Sequence, residues 1–238
     1  MKYTKQFENS YALGTTVVFE CLLNKPSLAK KLYLSPSLKH DETLAKLLTL
    51  ARLNNLPIII NNEKIFKELS DKENCMTILE IKKETTPIDY KDDIVLLVNP
   101  MNMGNLGTNI RTLVAMNFKN LAIIDPSCDL FDPKVIRSSM GSFFHLNIEK
   151  FKSFDEFKEK AVNHHFYPFV LQTDNSLLKT KFIHPYTLIF GNESTGLPSE
   201  YLKIGTPVKI PQNSKIDSLN LASAVTIGCF YSKNINVD

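Results

Sequence analysis

Apolar residues recur along the chain at two periods. Leu44, Leu47, Leu48 and Ala51 share one face at helical spacing behind Asp41, a ready N-cap. Helices are also expected over Thr16–Leu23 and near Asn62–Leu69, with strands at Lys30–Ser35, Pro57–Ile60 and Met76–Ile81. Pro57–Ile60 reads as short and buried. Together these elements make a small α/β unit. A polar stretch follows from Lys82 to Asp93, and beyond it strand and helix alternate more regularly. Strands are expected at Ile94–Asn99, Leu121–Ile124, Phe144–Ile148, Tyr167–Gln172, Thr187–Phe190 and Val208–Ile210. Helices fit between them at Gly107–Asn117, Pro133–Met140, Phe154–Asn163 and Ser218–Tyr231. That alternation predicts a parallel sheet covered on both faces. The strongly apolar runs, such as IVLLV, have strand length, so neither a signal peptide nor a membrane span is expected.

A length of 238 residues suits one large domain or two small ones. The polar stretch divides the chain into residues 1–85, a linker over 86–93, and a second domain over 94–238. A hydrophobic share of 43% with 22% charged residues excludes disorder as the main state. The net charge of +3 permits a nucleic-acid partner without arguing for one. The four cysteines, Cys21, Cys75, Cys128 and Cys229, are scattered with no CxxC pair. That spacing argues against zinc and for reduced, cytoplasmic thiols filling the core. His164 and His165 read as a solvated pair rather than metal ligands, and His145 as structural. Basic residues number 28, yet the arginines are only Arg52, Arg111 and Arg137. Arginine does planar, bidentate work that lysine cannot, so each of the three asks for a reason.

Candidate chemistry gathers at three expected strand ends, where open α/β sheets bind ligands. The first turn is NPMNMGNLGTNIRTL, which places Gly104 and Gly107 in a turn opening a helix and Arg111 one helical turn into it. It is neither GxGxxG nor GxxxxGK[ST], so a simple dinucleotide or nucleotide-triphosphate site is unsupported. Arg111 could face the ligand crevice or be an ordinary solvated residue. The second turn is LIFGNESTGLPSEYL. Gly191 there allows close backbone approach, and Glu193 could simply cap nearby amides. The third is VKIPQNSKIDSLNLASAVTIGCFY, with a helix opening at Asp217 or Ser218 and Asn220 able to cap it. That helix is apolar nearly all round, which suggests a second packing partner.

Together the three turns resemble the SpoU/TrmH family of RNA 2′-O-methyltransferases, within the SPOUT superfamily, over about residues 93–233. The family's N-x-G-x-x-x-R appears as Asn105, Gly107 and Arg111. Its second motif appears as FGNESTGL, with Glu193 and Gly196. Its third appears as IPQNSKIDSLNLASA, with Ser218, Leu219 and Asn220; here LNLAS replaces the more usual LNVSV. KVIRSSMGSFFHL, which holds Arg137, looks like the family's middle segment. Residues 1–85 resemble the small ribosomal-protein-like α/β domain that many members carry to bind RNA.

The resemblance implies an α/β SPOUT fold whose C-terminal part threads into a deep trefoil knot, an exception to the no-knot rule. It implies S-adenosylmethionine as cofactor, held by Thr173, Gly191, Asn192, Glu193, Gly196, Ile210 and Leu219. It also implies a homodimer, no metal, and methyl transfer to a ribose 2′-hydroxyl, with rRNA favoured over tRNA. Arg111, Ser218 and Asn220 are then the catalytic candidates. Asn105, Arg111, Lys30, Lys31 and Lys39 are the candidates for the RNA. Because a guanidinium holds its proton at neutral pH, two roles for Arg111 stay open: transient base, or charged stabiliser of the developing alkoxide. Arg137 would stand at the RNA or at the dimer interface. Two other readings keep the fold: an RNA-binding protein without catalysis, and methyl transfer to a substrate other than RNA.

Overall fold

The computed structural model describes residues 2–38, 41–60, 62–70 and 74–234, and the chain divides into two units. The first unit comprises Met1–Glu84 together with Asp129–His145, and the second comprises Thr85–Cys128 with Leu146–Asp238.

The first unit runs β1 (Asn9–Leu13), α1 (Thr15–Asn24), β2 (Ala29–Leu34), α2 (Glu42–Leu53), β3 (Ile58–Ile60), α3 (Glu63–Leu69) and β4 (Thr77–Lys82). Its sheet has the order β1-β4-β2-β3, antiparallel except for the β2–β3 pair. Strand β1 escapes the hydrophobic pattern because NSYAL is short and mixed. Strand β3 is an edge strand rather than a buried one, and Ile60 is 58% exposed. Helix α2 starts where its cap predicts: Asp41 Oδ1 accepts from Leu44 N at 3.0 Å. Asp41→Ala should therefore cost about 1 kcal/mol of stability, read as a lower urea midpoint at constant slope. Burial pushes the Cys21 thiol up to about 12, as suits a core residue.

The second unit begins inside the expected linker. Thr86 bridges Asn147, Ile88 joins the core, and Asn120 holds both the N–H and the C=O of Asp89. Then follow β5 (Ile94–Val98), α4 (Met103–Ala115) and β6 (Asn120–Ile124). The chain next leaves for the first unit, where α5 (Pro133–Ser138) packs on β1 and Arg137 Nη1 donates to Ser70 Oγ at 3.3 Å. It returns as β7 (Asn147–Phe151), α6 (Phe154–Lys160), β8 (His165–Pro168), β9 (Tyr186–Phe190) and α7 (Leu221–Asn234). Strand β7 lies C-terminal of the expected Phe144–Ile148. Phe143 and Phe144 instead form a buried 3-10 turn in the first unit, after Gly141 takes a φ of 89°. Val208–Ile210 is no full strand: single bridges join Val208 to Phe169 and Lys209 to Ser176.

Strands β7-β6-β5-β9-β8 form one parallel sheet. Its three central strands are buried at every position, and mixed burial marks the two edges. The sheet meets its first chain reversal between β5 and β9, which makes the crevice beyond their carboxyl ends the topological switch point. At the opposite end, buried Asp93 accepts from Lys233 Nζ at 2.6 Å and pairs with His184 Nδ1 at 2.8 Å, tying the end of α7 to the sheet. His164 is not the solvated residue its HH context suggested. It is 7% exposed, and its ring nitrogens meet Tyr90 O and Thr187 Oγ1, each at 2.9 Å.

Candidate active site

The loops after β5 and β9 are bonded to each other at the switch point. Asn192 Nδ2 donates to Asn99 O at 2.7 Å. Glu193 turns back over the start of α4, where its two oxygens accept from Met101 N and Asn102 N, each at 3.1 Å. A carboxylate there also meets the positive end of the helix dipole. Helix α4 begins at Met103 rather than Gly107, because Asn102 caps it by accepting from Asn105 N at 3.0 Å. Gly104 and Gly107 thus sit in the helix's first turns rather than in the turn before it.

Gly191 and Gly196 close the second loop on itself. Backbone bonds of 3.1 and 2.9 Å pair Asn192 with Gly196. A Cβ on Gly191 would lie 2.2 Å from the carbonyl carbon of Gly196, and Gly196 holds a φ of 69°. Only glycine meets the first demand, and the second is strained for any side chain.

The third loop, 210–220, stays irregular until Asn220. That residue caps α7, which starts at Leu221 rather than Ser218: Asn220 Oδ1 accepts from Ala222 N at 2.8 Å. Its amide also donates to Asn105 Oδ1 at 3.4 Å, while Asn105 Nδ2 donates to Glu193 Oε1 at 3.4 Å. Asn105 therefore joins all three loops. Helices α4 and α7 pack side by side, with Thr112 and Thr226 hydroxyls 3.3 Å apart.

The second and third loops, with residues 169–172 after β8, line a cavity of about 320 Å³. Gly191, Asn192, Glu193, Gly196, Ile210, Ser218 and Leu219, all expected at a ligand, line it. Asn105 and Asn220 adjoin it through the bonds just described. Thr173 is not on its wall; its hydroxyl accepts from Asn175 N at 3.3 Å. Arg111 is not on the wall either. It is exposed on α4, and among the described residues no hydrogen bond or ion pair engages its guanidinium. Lys30 and Lys31 belong to the first unit. Lys30 is exposed at an irregularity in the β2–β4 register, and Lys31 stands 6.0 Å from the Tyr33 ring centroid. Lys39 lies outside the described residues.

The hydrophobic pattern did not single out the cavity floor. Phe169 and Phe190 stack there at 4.4 Å with 21° between planes. Gly228 of α7 makes room for them, since a Cβ would fall 2.8 Å from each Cζ. An isolated Gly inside an apolar helix was the available signal. Removing the clasp of the first two loops should be costly. Glu193→Ala is expected to lower stability by roughly 1–3 kcal/mol, because two amides and Asn105 lose a charged acceptor. Denaturant unfolding measures this, and Glu193→Gln should fall between the two.

A sequence model of the SpoU rRNA Methylase family matches residues 92–230, the stretch that supplies every loop of this cavity. The chain belongs to that family. A second model, RNA 2'-O ribose methyltransferase substrate binding, matches residues 11–76. An uncharacterized tRNA/rRNA methyltransferase of Synechocystis is 35% identical over 52% of this chain and 46% of its own length. A 23S rRNA guanosine 2′-O-methyltransferase of Bacillus subtilis is 33% identical over 56% of this chain and 55% of its own. The chain thus spans about half the length of these SpoU relatives. A putative tRNA cytidine 2′-O-methyltransferase of Listeria innocua is 27% identical over 56% of this chain and 82% of its own. Among solved structures, an AdoMet-bound rRNA methyltransferase from Sinorhizobium meliloti superposes with a TM-score of 0.83 at 23% identity, covering 97% of this chain and 89% of that one. The shared fold covers residues of both units.

Proposed function

We propose that this SpoU protein is an S-adenosylmethionine-dependent methyltransferase acting on a ribose 2′-hydroxyl of RNA, with rRNA preferred over tRNA. The observation that carries the reading is the cavity beyond the end of β9, walled by the loops that hold the family's second and third motifs and by residues 169–172, with the first motif's loop bonded to Asn192 and Glu193 beside it. Its residues fit the cofactor. The stacked Phe169–Phe190 floor offers an apolar seat for a purine, and Gly191 leaves backbone where a side chain would intrude. Gly191, Asn192, Gly196, Ile210 and Leu219 would hold the cofactor, largely through backbone groups. Thr173 would do so only from a neighbouring strand end. When bound, S-adenosylmethionine supplies an electrophilic methyl group on a sulfonium.

The chain's own residues then have separable tasks. Glu193 anchors the loops and leaves no oxygen idle for proton transfer. Asn220 is held between the α7 cap and Asn105, so its position is fixed before any substrate arrives. With Ser218 it orients the ribose. Arg111 projects an exposed guanidinium without a partner among the described residues, suited to gripping a phosphate next to the target ribose and stabilising charge that develops on the 2′-oxygen. Its charged form is the better stabiliser, and alignment of the reacting atoms supplies most of the acceleration. Metal plays no part in this scheme.

The first unit binds the RNA substrate. The substrate-binding match over residues 11–76 supports this, as does Lys30 standing exposed on its sheet. The lysines, Lys39 included, add affinity without reading sequence. Residues 94–238, apart from the Asp129–His145 segment that belongs to the first unit, form the catalytic domain, and their C-terminal part threads as a trefoil knot. The protein works in the cytoplasm as a homodimer. The dimer is supported by Ile227 and Phe230 on α7, 38% and 55% exposed on an otherwise apolar helix. No described helix is long and apolar enough to cross a membrane.

Methyl-labelled cofactor offered with unmodified rRNA and tRNA in separate reactions tests the substrate class. Label in rRNA is the expected result. Label confined to tRNA overturns the preference, and label in neither overturns the assignment.

A further inference from the structure

The charge of the cavity wall has a consequence for what the cavity accepts. Among the described residues lining it, the only ionisable side chains are Glu193 and Asp217. No lysine, arginine or histidine stands on that wall. Glu193 is committed, since its oxygens accept from Met101 N, Asn102 N and Asn105 Nδ2. Asp217 is not. Among the described residues its carboxylate makes no hydrogen bond or ion pair, whereas its backbone C=O accepts from Gln212 Nε2 at 3.3 Å. That bond joins two lining residues and steadies the loop immediately before Ser218. The cavity therefore carries one uncommitted negative charge and nothing positive to balance it.

We propose that Asp217 reads the positive charge of the cofactor and so sets the preference of this site for cationic over neutral adenosine thio-ligands. The proposal rests on the methyltransferase reading above. S-adenosylmethionine carries a sulfonium, an α-ammonium and an α-carboxylate, a net positive charge. Once the methyl has left, the sulfur is a neutral thioether, and the product is a zwitterion with no net charge. On a wall whose described ionisable side chains are both acidic, the uncommitted Asp217 carboxylate, added to the hydrogen-bonded Glu193, favours the more positive ligand by Coulomb attraction. Because Asp217 is exposed, solvent and salt screen that attraction, and the effect is moderate rather than absolute.

Calorimetry on the full chain decides the matter, with Asp217→Asn compared against the unmodified protein. The ligands are S-adenosylmethionine, S-adenosylhomocysteine and 5′-methylthioadenosine, which has neither charge. The expected result at low salt is a Kd for S-adenosylmethionine raised roughly fivefold, with that of 5′-methylthioadenosine unchanged. Added salt should shrink the difference, and Asp217→Glu should restore affinity. An unchanged Kd for S-adenosylhomocysteine assigns the contact to the sulfonium and supports the proposal; an equal loss places the contact at the α-ammonium that both ligands carry and overturns it. Equal weakening of 5′-methylthioadenosine, or no change for S-adenosylmethionine, overturns it. If the unmodified protein binds none of the three, the methyltransferase reading falls first, which keeps the two failures distinct.

Discussion

Arg111→Ala should reduce methyl transfer by at least about a hundredfold, the scale seen when a preorganised charge stabiliser is lost, while leaving cofactor affinity intact. Arg111 is exposed, lies off the cavity wall, and has no partner among the described residues. Its removal therefore breaks no contact that holds the cofactor loops. Alanine is also at least as good a helix former as arginine, so α4 should persist. Arg111→Lys tests whether charge alone suffices: it keeps the cation but loses the planar fork that grips a phosphate bidentately. The expected result is a rate close to that of Arg111→Ala. Turnover and calorimetric Kd must be measured on the same preparation. Parallel loss of both would make Arg111 structural.

Gly191→Ala should have the largest effect on the cofactor. The added methyl would sit 2.2 Å from the carbonyl carbon of Gly196, 2.3 Å from Leu197 N and 2.4 Å from Gly196 O. All three are backbone atoms, so no side-chain rotation relieves the clash, and the loop must open. Opening it strains the Asn192–Gly196 pair and pulls Glu193 away from the start of α4. Overpacking of this kind costs about 1–3 kcal/mol of stability, and cofactor binding should fall below detection. Gly196→Ala is the control. A Cβ there meets nothing within 4 Å, so only the φ of 69° is penalised, by about 1–2 kcal/mol. Greater damage to cofactor affinity at Gly196 than at Gly191 would contradict the described loop geometry.

Much of the fold is legible in the sequence where the determinants are local. Asp41 caps α2 where the spacing predicts, α3 follows Asn62 close to its expected start, and three mainly apolar runs become the three central strands of the second sheet. Misplaced elements share one cause, a tertiary partner that periodicity does not contain. Phe144 reads as the start of a strand, yet with Phe143 it is buried in the first unit, in a segment that returns to that unit after β6. His164 looks solvated but is buried by bonds to residues far along the chain. The glycines of NMGNLG look like a turn, yet Asn102 starts the helix ahead of them.

The site follows the same division. Motif spacing identifies Gly191, Glu193, Ser218 and Asn220, because each stands at a strand end or helix start. The role of Asn105 as the link among three loops depends on side-chain bonds spanning 88 and 115 positions. The aromatic floor and the placing of the Asp217 carboxylate on the cavity wall are likewise products of the fold, and no local pattern encodes them.

The central claim is transfer of a methyl group to a ribose 2′-oxygen. The direct measurement is nucleoside analysis of RNA labelled by the purified protein, with Arg111→Ala run alongside. The account predicts label on 2′-O-methyl nucleosides with the unmodified protein and background label with the variant. Label on a base, or equal ribose labelling by both proteins, would contradict it.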